Sequence, residues 1–99
     1  MNKEEVKGLI QTCKETQDLM EREKERYRER EEQKKQEGAD VQTLQLQQDE
    51  LLRRILQAQA TRIKALRKIV AIPNHFFSDP DLKNDLQSIL KKITLPNTH

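Results

Sequence analysis

Ninety-nine residues, of which 33% are hydrophobic, 3% aromatic and 36% charged, make one small unit with too little apolar material to wall a catalytic pocket. A strand-built fold is excluded by the scarcity of β-branched and aromatic residues. The 19 Lys/Arg and 17 Asp/Glu alternate in sign for a formal charge of +2, and periodic apolar residues persist among them, which argues against wholesale disorder. What remains is an all-α chain, a long coiled-coil helix or a helical hairpin broken near Gly38, followed by a short capped C-terminal helix.

Residues 1–37 read as a charged heptad helix. Val6, Cys13, Met20, Tyr27, Lys34 and Val41 are spaced by seven, and Leu9, Thr16 and Leu44 follow members of that series by three. Between Glu21 and Glu37 only Tyr27 is apolar, and the partner positions are Glu23, Arg30 and Glu37. Opposite charges three and four apart support a helix there, so this stretch is predicted to be a solvated spacer.

Residues 38–40, Gly38-Ala39-Asp40, are a possible break. Glycine can end one helix and aspartate cap the next, which allows a hairpin. The heptad frame runs unbroken across the site, which favours a continuous rod.

The main helix is expected over 41–72. Val41, Leu44, Leu51 and Ile55 keep the heptad, and the stripe then drifts through Leu52, Ile55, Gln59, Ile63, Leu66 and Val70. The eleven-residue intervals from Leu52 to Ile63 and from Ile55 to Leu66 imply a reversed supercoil tendency or a straightened bundle. Ile69 and other apolar residues off this stripe widen the face, as in a bundle with more than one neighbour. Gln48 and Arg62 in the heptad frame, with Gln59 after the drift, would set register.

Pro73 stops that helix and opens a loop over 73–77 that carries Phe76 and Phe77. A short amphipathic helix is predicted over 78–94, with Ser78 as N-cap, Asp81 as the capping-box acid, and Phe77 and Leu82 as a hydrophobic staple. Its apolar face is Leu82, Leu86, Ile89, Leu90 and Ile93. Residues 95–99 are a tail. The last helix either folds back on the end of the main helix, with Phe76 or Phe77 in the corner, or docks on another polypeptide.

Little chemistry is available. His75, His99 and Cys13 lie far apart in sequence, without metal-ligand spacing, and the two glycines are thirty residues apart. No enzyme activity, cofactor or metal is expected. The basic cluster Arg62, Lys64, Arg67 and Lys68 sits where cations complement a helix C-terminus, and it lacks the interleaved aromatics of a single-strand site. A nucleic-acid partner is therefore disfavoured against a helical protein partner in a homo- or hetero-oligomer. The windows Leu52-Arg53-Arg54-Ile55-Leu56 and Leu86-Gln87-Ser88-Ile89-Leu90 resemble the leucine box by which coactivators dock into a groove, with isoleucine at one leucine position. A lone cysteine, acids in Met1-Asn2-Lys3-Glu4-Glu5 and the lack of an apolar run of membrane-spanning length point to cytoplasm or nucleus, with no membrane association.

Lys68-Ile69-Val70-Ala71-Ile72-Pro73-Asn74, followed by Asp79-Pro80-Asp81-Leu82-Lys83, resembles the ends of coiled-coil subunits of the inner kinetochore, of the centromere protein Q and H type. The resemblance implies an obligate multisubunit scaffold at centromeres. The expected role is a non-enzymatic scaffold or assembly subunit. Its alternatives are a chromatin or kinetochore assembly subunit, a nucleic-acid accessory helix, and a helix-in-groove adaptor.

Overall fold

The computed structural model describes residues 1–94 and is all-α: α1 spans Lys3–Lys34, α2 spans Val41–Val70, a short 3₁₀ helix covers Asn74–Ser78, and α3 spans Lys83–Thr94. The predicted tail, with His99, and the side chain of Ile93 lie outside the described residues. The chain divides into two compact units. Unit one comprises residues 1–14 with the described residues from 62 onward, and unit two is residues 15–61, so both long helices contribute to both units.

Helix α1 forms because its residues are strong helix formers with matched ends. The Asn2 side chain accepts the backbone N–H of Glu5 at 2.8 Å, Glu4 and Glu5 occupy the first turn, and Lys34 the last. Ion pairs three residues apart support it, Arg28–Glu25 at 2.9 Å on its surface and Arg26 reaching the buried Glu23 at 3.3 Å.

In unit two the chain turns back on itself, which corrects the continuous rod. Gly38 has φ +78°, a left-handed conformation that side-chain-bearing residues avoid. Asp40 then caps α2, accepting the Thr43 backbone N–H at 3.1 Å and the Thr43 hydroxyl at 2.7 Å. These bonds hold the Asp40 carboxyl below its ordinary value. Contacts across the hairpin ascend one helix as they descend the other: Lys34 with Gln45, Arg30 with Gln47, Glu23 with Arg54. Continuity of the heptad frame across residues 38–40 therefore carries no information about a rod, because the two stripes face each other.

The drift to an eleven-residue repeat is also corrected. In unit two α2 buries Gln48, Leu51, Ile55 and Ala58, and in unit one it buries Ala65 and Ile69, with Ile72 just beyond it. Steps of three and four keep the seven-residue frame throughout. Alanines hold two of these positions, so a stripe traced through large aliphatics alone strays to Leu52, Ile63 and Val70, all of which are exposed.

Unit one has an apolar core. Val6, Ile10 and Cys13 of α1, Ala65 and Ile69 of α2, then Ile72, Phe76, Leu82, and Leu86 and Ile89 of α3 form one buried cluster, with Leu9, Leu66, Phe77 and Leu90 packed against it. Thus α3 folds back on its own chain, as one of the two readings has it, and Phe76 fills the corner. The strand of sequence not foreseen in this core is the start of α1, where Val6 and Ile10 are buried. The predicted loop over 73–77 is mostly the 3₁₀ helix Asn74–Ser78, with Pro73 before it, and Ser78 is its last residue instead of the cap of α3. Asp79 does the capping: its carbonyl accepts the N–H groups of Leu82 and Lys83, and its carboxylate accepts that of Asp81 at 2.9 Å.

Candidate interaction surface

The inner face of the unit two hairpin is mixed, with Thr16, Glu23 and Gln48 buried beside Leu51, Ile55 and Ala58. Glu23 is only 4% exposed and meets Arg26 at 3.3 Å and Arg54 at 3.7 Å. Gln48 is fully buried, and its amide nitrogen donates to the Tyr27 carbonyl at 3.2 Å and to Glu31 Oε2 at 2.8 Å. Among the described residues its amide oxygen has no partner, an omission that costs about 1–3 kcal/mol. The stretch around Tyr27 is therefore one wall of the hairpin and not a solvated spacer. What hid this is that Glu23 and Arg30 stand at heptad positions that read as failures of a coiled coil unless their partners are known.

Outside that seam, unit two exposes large aliphatics of α2: Val41, Leu46, Leu52, and Leu56, the last at 56%. Of the predicted interface residues in this unit, Leu51 and Ile55 are buried, Leu44 is half-buried, and Val41 and Leu52 are exposed. Between α1 and α2 lies an open cleft of about 250 Å³ lined by Lys24, Tyr27, Arg28, Leu52 and Ile55. Its floor is apolar and its charged lining residues are both cations.

Unit one is held together at its edges by ion pairs. Lys3 Nζ lies 2.8 Å from Asp81 and 3.2 Å from Asp79, and Lys14 lies 3.1 Å from Asp85. Hydrogen bonds to Asp81 and then Asp79 raise the Lys3 amine above its ordinary value, while the Asp81 backbone N–H and then Lys3 hold Asp79 below its own. Asp81 is thus a partner of Lys3 and not a capping-box acid. Burial pushes the Cys13 thiol up, against a lowering influence from Arg62.

The predicted residues of unit one divide sharply. Ile69, Phe76, Leu82, Leu86 and Ile89 are buried, and Leu66, Phe77 and Leu90 are partly buried against them. Ile63 is exposed, and Val70 is 59% exposed, so neither belongs to the core. In the basic cluster Lys64, Arg67 and Lys68 are exposed, whereas Arg62 is half-buried and its Nε lacks a partner among the described residues. The cluster is thus three outward cations and one inward arginine. Of the two leucine-box windows, Leu86 to Leu90 is consumed by the core, and only Leu52 and Leu56 present leucines outward.

Among the described residues no group of three His, Cys, Asp or Glu side chains could hold a metal ion, and no helix is long and apolar enough to cross a membrane. No protein-family model, curated protein or solved structure matches this chain.

Proposed function

We propose that this protein is a non-enzymatic helical assembly subunit that works by packing helices against a protein partner. The observation that supports this reading is the set of large aliphatics that α2 leaves exposed after its heptad seam is filled: Leu46, Leu52 and Leu56 in unit two, Ile63 and Val70 in unit one. Scattered single leucines are ordinary on a surface, but Leu52 and Leu56 stand one helical turn apart and face outward together. Burying a leucine fully is worth roughly 1.5–3 kcal/mol, so several are needed to offset the cost of association, about 4–15 kcal/mol.

Size-exclusion chromatography with light scattering and circular dichroism on the full chain tests the reading. A discrete oligomer that Leu56→Asp disperses without loss of helicity supports it. A strongly helical monomer, indifferent to concentration and to amphipathic helical peptides alike, would sink it.

A further inference from the structure

We propose that the cleft of unit two seats an amphipathic helix of another polypeptide, one whose apolar stripe is flanked by carboxylates. The inference rests on the assembly reading and gives it a partner chemistry. Two antiparallel helices leave a groove between them, and a third helix fills such a groove by setting its ridge of side chains into it. Here the groove carries Tyr27, Leu52 and Ile55 on its floor, with Leu56 exposed one turn further along the same face of α2.

Charge selects the occupant. Lys24 and Arg28 are the charged residues of the lining, four apart on α1 and so one turn from each other along its length. Arg28 shares its guanidinium with Glu25, and on α2 Arg53 shares with Glu50, so each keeps donors for a second carboxylate. From Leu51 to Thr61, α2 contains Arg53 and Arg54 and no acid. A second copy of this chain would have to bring a carboxylate-flanked apolar stripe, but beside its exposed leucines at 52 and 56 stand Arg53 and Arg54, while Asp49 and Glu50, the acids within a turn of Leu52, are engaged by Gln45 and by those two arginines. Such a stripe offers Lys24 and Arg28 few free carboxylates, whereas one bordered by unengaged Glu or Asp gains attraction and register from them.

The test uses the full chain and two synthetic helical peptides of about three heptads each. Both carry the same leucine stripe, flanked by Glu in one and by Lys in the other. Fluorescence anisotropy should show the Glu peptide binding at least about tenfold tighter at low salt, with the ratio shrinking as salt screens it. Leu52→Asp should remove binding. Because it alters an apolar wall, the double variant Lys24→Glu with Arg28→Glu, both at exposed positions, provides the second arm and should invert the preference between peptides. Equal binding of both peptides would overturn the proposal, as would preference unchanged by the charge reversal. Binding of anionic phosphatidylserine vesicles with the same dependence on Leu52 would assign the cleft to a membrane surface instead. A discrete oligomer of the chain alone that Leu52→Asp disperses would assign it to a second copy. A chain that oligomerises through Ile63 or Val70 and ignores both peptides keeps the assembly reading and loses this one.

Discussion

The two units solve the same problem, pairing helices, with different materials. Unit one closes an apolar cluster from three helices, with Leu82 and Leu86 almost wholly removed from water. Unit two closes a seam in which a carboxylate and an amide occupy positions that aliphatics hold elsewhere. Apolar contacts are strong and tolerant of sliding, whereas a buried amide or ion pair is weak in net terms and intolerant of a wrong register. The difference assigns most stability to unit one and much of the hairpin's alignment to unit two.

The largest expected effect falls on unit one. Leu86→Ala removes a fully buried side chain and should cost about 3–5 kcal/mol, read as loss of a cooperative thermal transition. A cost under about 1 kcal/mol would mean that the cluster is loosely packed, and the comparison would fail there. Next is Glu23→Lys, which sets a buried ammonium between Arg26 and Arg54 and should cost about 3 kcal/mol in chemical denaturation. If the variant is neutral, the seam is wet and Glu23 does not align the hairpin.

Gln48→Leu acts in the other direction. It removes an amide whose oxygen has no partner and should stabilise the fold by about 1 kcal/mol, while broadening the amide resonances of residues 23–31 as alternative registers become populated. A gain without such broadening would leave alignment to the turn alone. The smallest effect is the pH dependence of the Lys3 contacts. Asp79 is lowered, so its contribution is full above the ordinary 3.8 and is lost as pH falls through its lower folded value. Lys3 is raised, so its contribution is full below 10.5 and is lost as pH climbs through its higher folded value. Lys3→Met should therefore reduce the alkaline slope in a pH series of melts, leaving the part that the raised Cys13 thiol contributes, and only soften the acid one, because the Asp81 backbone N–H remains on Asp79 and Asp40 is lowered independently.

How much of this could be read from sequence depended on residue size. The helices, the stop at Pro73 and the apolar face of α3 follow from spacing and proline chemistry, and all are present. The seam of α2 was obscured because Ala58 and Ala65 carry it, while the larger Leu52, Ile63 and Val70 beside it face outward. The hairpin was obscured because its evidence is the φ of one glycine and a set of cross-helix pairs such as Arg54 with Glu23, 31 residues apart in sequence and without any local pattern. Leu66→Asp, the natural disruption if the drifted stripe were an interface, would instead injure the core of unit one, whereas Glu29→Lys on the exposed face of α1 should change little.

The Gly38 turn also orders events in time. It places Lys34 against Gln45, eleven residues on, so the hairpin can zip as soon as both arms exist. Lys3 meets Asp81 across 78 residues, and the cluster that buries Val6 and Ile10 draws most of its members from residues 65–89. During synthesis at about 5–20 residues per second, the start of α1 therefore spends several seconds with its apolar side chains uncovered. Those seconds leave the apolar side chains of this segment open to non-native contacts until the C-terminal residues arrive.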